Sequence, residues 1–135
     1  MKNSNNGYQG FKSLIVYQKA YELALDIFRI SKTFPTEEKY SLTDQIRRSS
    51  RSVCANIGEG YRKRIYPKHF TMKMSDADGE CSETLIWLNF AKDYGYISEF
   101  DFQRFESGYE EVGRMLGSMI VSPQKFLPRN KNLVV

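Results

Sequence analysis

Four stretches of the chain place apolar residues at steps of three and four positions, and this periodicity constrains the fold more than any other feature. Such spacing gives each helix one apolar face. The predicted helices cover about residues 13–32, 41–61, 67–94 and 98–120. No stretch of useful length alternates as a strand does, and no internal repeat is visible. Because consecutive helices joined by short loops pack antiparallel, the pattern predicts an all-α, antiparallel up-down-up-down four-helix bundle.

The residues between these stretches agree with the chemistry of helix ends. Pro35 ends the first helix, and the hydroxyl group of Ser41 can cap the second. Pro67 suits the first position of the third helix, where a missing amide hydrogen costs nothing. Gly95 can adopt the left-handed conformation that ends the third helix, and Ser98 opens the fourth.

The length of 135 residues suits one domain with one core. We expect residues 1–10 to form a flexible N-terminal segment, residues 11–120 the bundle, and residues 121–135 a basic C-terminal tail that is loose or docked elsewhere. The chain has no apolar run that suits a signal peptide or a membrane span, so a cytoplasmic location is expected. Cys54 and Cys81 form no CxxC pair and are expected to be reduced packing residues.

The second helix is predicted to separate a buried stripe from a basic line. The stripe consists of residues at helical spacing, namely Leu42, Ile46, Ser49, Val53, Ile57 and Gly60. The basic line lies opposite and continues into the following loop, and it contains Arg47, Arg48, Arg51, Arg62, Lys63 and Arg64. On the first helix, the broad face expected to be buried includes Tyr17 and Phe28.

Charge is unevenly distributed along the chain, although the net charge is only +4. Residues 39–73 contain nine basic and two acidic side chains, whereas residues 76–111 contain ten acidic and two basic ones. The basic line could bind phosphates with salt-sensitive affinity that depends little on nucleotide sequence. Alternatively, its arginines could pair with acidic helices inside one subunit or between subunits. The residues alone leave both interpretations open.

A second set of polar residues suggests a contact surface. Three carboxylates, at Asp76, Glu80 and Glu83, share a line on the third helix with Trp87, and an outward tryptophan is typical of an interface. A solvated acidic face is the alternative. In the NIGEGY sequence, Gly58 and Gly60 are interpreted as packing glycines with polar neighbours beside them. The candidate subunit-interface residues are therefore Asp76, Glu80, Glu83, Trp87, Asn56 and Glu59.

Catalytic chemistry is poorly supported by the residues. The only histidine is His69, so the Glu-x-x-His pairs of a di-iron bundle are missing, and no Ser-His-Asp or Cys-His arrangement is suggested. The NIGEGY glycines lack the preceding strand and the following Lys-Ser/Thr of a phosphate loop. We therefore expect no enzymatic activity, metal or cofactor.

Three segments resemble a known bacterial family: LIVYQKAYELALDIF, FPTEEKYSLTDQIRRSSRSVCANIGEGYRKR and LNFAKDYGYIS. They are similar to the four-helix-bundle proteins encoded in intervening sequences of large-subunit ribosomal RNA genes. That family also includes the accessory variability determinant proteins of diversity-generating retroelements. The resemblance covers roughly residues 11–120, and QIRRSS-x4-ANIGEG is its most specific part.

The resemblance implies a non-enzymatic bundle that assembles into a homopentameric ring or barrel and binds RNA or DNA through basic surfaces. It also implies Arg47, Arg48 and Arg51 as candidate nucleic-acid contacts, and a reverse transcriptase as a partner in the retroelement branch. Our leading hypothesis is accordingly a homo-oligomer that binds nucleic acid through the basic line. The rival hypothesis is a self-assembling scaffold in which the basic line of one subunit meets the acidic line of the next.

Overall fold

The computed structural model describes residues 10–128. Four long helices are present: α1 (Ile15–Ser31), α2 (Leu42–Arg62), α3 (Pro67–Asp93) and α4 (Glu99–Val121). Three short 3-10 helices flank them, at Gly10–Ser13, Thr36–Glu38 and Pro123–Phe126. The described residues contain no strand, so the predicted all-α bundle is confirmed. Residues 1–9 of the predicted flexible segment and residues 129–135 of the predicted tail lie outside the described residues.

The helices form a square in which α2 contacts α1 and α3, and α4 contacts α3 and α1. Two hydrogen bonds give the direction of α2 against α3. Thr84 Oγ1 donates to Ser49 Oγ at 2.8 Å, and Lys73 Nζ donates to Asn56 Oδ1 at 3.5 Å. Higher residue numbers on α2 thus face lower numbers on α3, as antiparallel neighbours require.

The core lies along the centre of the square. Its largest fully buried side chains come from all four helices, and they include Tyr109, Phe70, Phe105, Ile27, Ile46 and Ile57. All six residues of the stripe expected on α2 are buried, so that prediction is confirmed. On α1 the expected buried face is too broad, because Phe28 is 43% exposed and Tyr17 is only half-buried. The arc of apolar side chains on α1 is wider than the surface that α2 and α4 cover.

The end of α3 follows the prediction closely. Gly95 has a φ of +83°, which is the left-handed conformation that glycine adopts without strain. The Tyr96 N–H donates to the Ala91 carbonyl at 2.8 Å, and the Gly95 N–H donates to the Lys92 carbonyl at 2.9 Å. These two bonds form a Schellman motif, which satisfies carbonyls that the helix itself leaves free.

The start of α2 differs from the prediction. Ser41 is the N-cap residue, but its side chain makes no capping bond to the helix. Glu38 Oε1 instead accepts from the Leu42 N–H at 3.3 Å and from Ser41 Oγ at 2.7 Å. Tyr96 Oη donates to the other oxygen of Glu38 at 2.8 Å. A carboxylate held by the loop after α3 therefore replaces the expected serine cap.

Part of the C-terminal tail is docked on the bundle. The 3-10 helix Pro123–Phe126 follows α4 directly, and the Phe126 ring stacks on Phe70 with centroids 5.7 Å apart. At the other end of the described chain, Gly10 is buried in the first 3-10 helix. Both ends of the described chain thus extend the core beyond the four long helices.

Candidate nucleic-acid interface on the second helix

The outward face of α2 carries two arginines that have no ion pair in the described part of the chain. Arg48 and Arg51 are exposed, opposite the buried stripe. Within residues 10–128 neither guanidinium group forms an ion pair with a carboxylate. A guanidinium group presents several donors in a planar fork that suits phosphate or carboxylate oxygens. These two side chains are therefore available to an anionic partner.

Arg47 occupies a different environment, although it belongs to the same predicted line. It is half-buried, and its Nε donates to Ser31 Oγ at 2.7 Å. Its guanidinium carbon lies 4.5 Å from the centroid of the Phe28 ring, a cation–π contact. Lys32 Nζ lies 4.8 Å from the same centroid. Arg47 thus joins α1 to α2 and holds a fixed position at the edge of the basic line.

The C-terminal end of α2 concentrates further positive charge. Arg62 and Lys63 are exposed at the last residue and the C-cap of the helix, where cations interact favourably with the helix dipole. Arg64 is half-buried, and its guanidinium group stacks 4.0 Å from the Tyr61 ring centroid. It also donates to the Tyr61 carbonyl at 3.0 Å. Arg64 therefore stabilises the end of the helix while adding to the basic surface.

A polar groove of about 440 Å³, which we name the α2–α3 groove, separates α2 from α3. Its lining combines arginines of α2 with carboxylates of α3, and comprises Gln45, Arg48, Ser49, Arg51, Ser52, Ala55, Glu80 and Glu83. Burial, followed by the charge of Glu83, raises the pKa of the Glu80 carboxyl group. Asp76 is exposed on the same helix. The structure therefore brings two of the three predicted acidic residues beside the basic line of the same chain.

Asn56 and Glu59 are engaged within the chain. Lys73 Nζ pairs with Glu59 Oε1 at 2.9 Å and donates to Asn56 Oδ1 at 3.5 Å. Asn56 Nδ2 also donates to the Ser52 carbonyl at 2.9 Å. The pair with Glu59 raises the pKa of Lys73. These two candidate interface residues thus link the C-terminal part of α2 to α3 through Lys73.

An aromatic row runs along the outer face of α3, and only its first member, Trp87, was predicted from the sequence to lie on a contact surface. Trp87 is half-buried, and its Nε1 donates to Glu83 Oε2 at 3.2 Å. Its ring lies 6.1 Å from that of Phe90, which in turn lies 5.8 Å from Tyr94. Phe90 is 44% exposed and Tyr94 is 55% exposed. Phe90 and Tyr94 follow Trp87 by three and seven residues. This helical spacing is the sequence pattern from which the α3 aromatic row could have been predicted.

A second groove, the α1–α2 groove, lies on the other side of the basic line and has a volume of about 370 Å³. Its lining is mainly apolar and aromatic, and comprises Tyr17, Tyr21, Ala24, Leu25, Phe28, Arg47, Ser50, Arg51 and Cys54. This groove was not predicted from the sequence, because Tyr17 and Phe28 were expected to lie in the core. Tyr21, one helical turn after Tyr17, is 49% exposed.

The described residues contain no cluster suited to hold a metal ion and no cysteine thiol activated as a nucleophile. Within residues 10–128 no group of three His, Cys, Asp or Glu side chains is placed to hold a metal ion. Burial raises the pKa of the Cys54 thiol to about 11 and that of Cys81 to about 12. Both thiols are therefore neutral at neutral pH, and neither is activated as a nucleophile.

None of the helices in the described part of the chain combines the length and the apolar character that crossing a membrane requires.

Comparison with known proteins agrees with the four-helix fold. The crystal structure of a protein with unknown function from the S23 ribosomal protein family of Bacteroides thetaiotaomicron VPI-5482 superposes with a TM-score of 0.71. It is 29% identical, and the match covers 78% of this chain and 98% of that one. No curated protein matches the sequence significantly. The profile of the 23S rRNA-intervening sequence proteins matches residues 12–118. Since this match spans most of the chain and the helices form the expected bundle, the chain belongs to the 23S rRNA-intervening sequence protein family.

Proposed function

We propose that the chain is a non-catalytic protein that binds RNA or DNA through the outward face of α2. The observation that carries this proposal is the pair Arg48 and Arg51, which are exposed and have no ion pair within residues 10–128. Arg62 and Lys63 extend the same basic surface at the end of the helix. Each phosphate that such a surface neutralises releases counterions, which favours binding at low salt. The family's name refers to 23S rRNA, so structured RNA is the first ligand to test.

The test is an electrophoretic mobility shift with structured RNA and duplex DNA over a salt series. The double variant Arg48→Ala/Arg51→Ala is expected to bind at least about tenfold more weakly, and its plot of log affinity against log salt is expected to flatten by about one to two units. A matched control, Arg114→Ala/Lys125→Ala, removes the same charge from exposed positions on α4 and the C-terminal 3-10 helix. Absence of binding at low salt, or equal losses in the two double variants, would refute the proposal.

Self-association is the second candidate function, and the α3 aromatic row favours it. Exposed Phe90 and Tyr94, together with Ile86 at 52% exposure, form an apolar surface rimmed by the Glu83 carboxylate. Surfaces of this kind are typical of contacts between protein chains. A homo-oligomer, with a pentamer as the expected state, would use this surface and could add pairs between the basic and acidic lines. A reverse transcriptase is the protein partner to test for the scaffold.

Light scattering coupled to size exclusion tests this second candidate function by measuring the mass of the protein in solution. The unmodified chain is expected to elute at the mass of a multimer, and Phe90→Ser is expected to lower that mass because it removes a central apolar contact. Phe100→Ser is the control, since Phe100 is 74% exposed and lies outside the α3 aromatic row. A monomer at every concentration tested would exclude the scaffold and leave the nucleic-acid proposal unaffected.

A further inference from the structure

The two grooves beside α2 differ in their charge. The α2–α3 groove places Glu80 and Glu83 beside Arg48 and Arg51, and carboxylates repel the phosphates of a nucleic acid. The lining of the α1–α2 groove contains Arg47 and Arg51 but no carboxylate. A polyanion that contacts Arg51 is therefore favoured on the α1 side of the helix rather than on the α3 side.

Two stacked tyrosines line the α1–α2 groove. Tyr17 stacks on Tyr21 with centroids 5.9 Å apart and an angle of 27° between the rings, and Phe11, which lies outside the groove lining, meets Tyr17 edge-on at 5.0 Å. Tyr21 is about half exposed, so its ring presents surface to the groove. Aromatic side chains beside basic ones are the usual platform for unpaired bases, because every base has a face that can stack.

Arg47 is placed to act together with these rings. Its bond to Ser31 and its contact with Phe28 fix the guanidinium group at the groove, and one Nε–H is used while other donors remain. The Ser50 hydroxyl group on the lining already donates to the Arg47 carbonyl at 3.1 Å. A held guanidinium group loses little entropy when it binds a phosphate or the edge of a base.

The size of the groove limits what can enter it. Its volume of about 370 Å³ lies at the lower end of the roughly 300–1,000 Å³ typical of small-molecule sites. An unstacked base is a flat ring system of small-molecule size, whereas the bases of a duplex stay inside their stack. The groove therefore suits a single strand better than a double helix.

We propose that the α1–α2 groove binds an unpaired base of a single-stranded RNA or DNA, with the base on Tyr21 and the adjoining phosphates on Arg47 and Arg51. This inference rests on the proposed nucleic-acid binding and names the form of nucleic acid that the surface recognises.

The first test uses the unmodified protein. Fluorescence anisotropy compares a labelled single-stranded oligonucleotide with an oligonucleotide of the same phosphate count that has abasic sites in place of its bases. The intact strand is expected to bind about fivefold or more tightly, since base stacking on an aromatic side chain is lost in the abasic strand. Equal affinities would overturn the base site while leaving phosphate binding, and thus the proposed function, in place.

The second test identifies the residue. Tyr21→Leu keeps an apolar side chain and a good helix former, and it is expected to weaken single-strand binding about fivefold or more without changing the salt slope. Tyr21→Phe keeps the ring and should bind as the unmodified chain does. Tyr40→Leu, at an 85% exposed tyrosine before α2, is the matched control. Duplex binding is expected to be equal in all of these variants.

The remaining outcomes separate the two proposals. Single-strand binding that survives Tyr21→Leu but weakens in Arg48→Ala/Arg51→Ala refutes the base site alone. If Tyr21→Leu lowers the oligomer mass in light scattering and leaves single-strand binding intact, the groove is a protein contact and the base site is refuted. If the unmodified chain binds no strand of any kind at low salt, both proposals fail together.

Discussion

Tyr109 is the largest side chain in the fully buried core, and its hydroxyl group has no hydrogen-bond partner within residues 10–128. Only 1% of the residue is exposed, and burial raises the pKa of the phenol. A buried hydroxyl without a partner costs about 1–3 kcal/mol relative to one that is hydrogen-bonded. The residue fills space at the centre of the bundle at the expense of one unsatisfied polar atom.

Substitution of that hydroxyl group tests this account. We expect Tyr109→Phe to leave the free energy of unfolding unchanged or to raise it by up to about 1 kcal/mol, since the ring stays and the unpaired atom goes. Urea denaturation measures the change. Tyr96→Phe is the control and should destabilise the protein, because that hydroxyl group donates to Glu38 at 2.8 Å. A loss of more than about 1 kcal/mol in Tyr109→Phe would show that its hydroxyl group has a partner.

At the scale of the element, the contact of α2 with α3 depends on a glycine. A Cβ atom at Gly60 would lie 2.8 Å from Lys73 Cβ and 2.8 Å from Met74 Cε. Gly60 is predicted from the sequence to be a packing glycine, and its surroundings agree with that prediction. At these distances a Cβ atom fits only if the two helices move apart. The observed packing therefore requires a residue without a side chain at position 60.

Gly60→Ala is therefore expected to lower the free energy of unfolding by about 1–3 kcal/mol through overpacking. Gly79 on α3 is the matched control, since a Cβ atom there meets nothing within 4 Å. Gly79→Ala is expected to raise stability by about 0.5–1 kcal/mol, because alanine loses less backbone entropy in a helix. Thermal or urea unfolding of both variants tests these two opposite predictions. Equal changes of the same sign in the free energy of unfolding would contradict them.

The start of α2 gives the chain a pH-dependent contact. Hydrogen bonds from Ser41 and then Tyr96 lower the pKa of Glu38 below its ordinary value of 4.5. A lowered pKa in the folded state adds stability above that ordinary value, and the contribution disappears as the pH falls through the folded-state pKa.

Glu38→Gln is therefore expected to destabilise the protein at pH 7 and to differ less from the unmodified chain as the pH falls below about 4.5. Glu37→Gln, in the same short 3-10 helix, is the control and should change stability little. Urea midpoints measured from pH 7 to pH 3 decide the matter. A difference that stays constant over this range would mean that the carboxylate charge is not involved.

The elements themselves were largely predictable, and their caps were less so. Helix α3 begins at Pro67 and ends before Gly95 as predicted, because proline and glycine act through their own backbone geometry. Ser41 failed as a cap because Glu38 is held in place by Tyr96, which lies 58 residues away along the chain. A contact of that separation has no signature in local sequence.

At the scale of the whole molecule, the segment after α4 completes the bundle. Phe126 stacks on Phe70, a fully buried residue near the start of α3, with an angle of 27° between the rings. It also lines an apolar groove of about 400 Å³ with residues of α1 and α4, such as Val16 and Met119. The segment therefore covers the end of the core where three helices meet.

We expect Phe126→Ala to lower the free energy of unfolding by about 1–2 kcal/mol, which combines the lost ring contact with the lost burial. Gln124→Ala changes an exposed residue of the same 3-10 helix and should have little effect. Calorimetric melting of the two variants tests this, and equal melting temperatures would show that the segment adds nothing to the core.

The sequence by itself determined the four helices, the buried stripe of α2 and the existence of a basic line, because each depends on periodicity along one helix. Only the tertiary structure decided what borders that line. Glu80 and Glu83 lie on one side of it, and the exposed ring of Tyr21 lies on the other. The order and register of packed helices bring these groups together, and no repeat within a single helix encodes its neighbours. The distinction between two arginine-lined grooves, one acidic and one aromatic, is therefore a property of the assembled bundle.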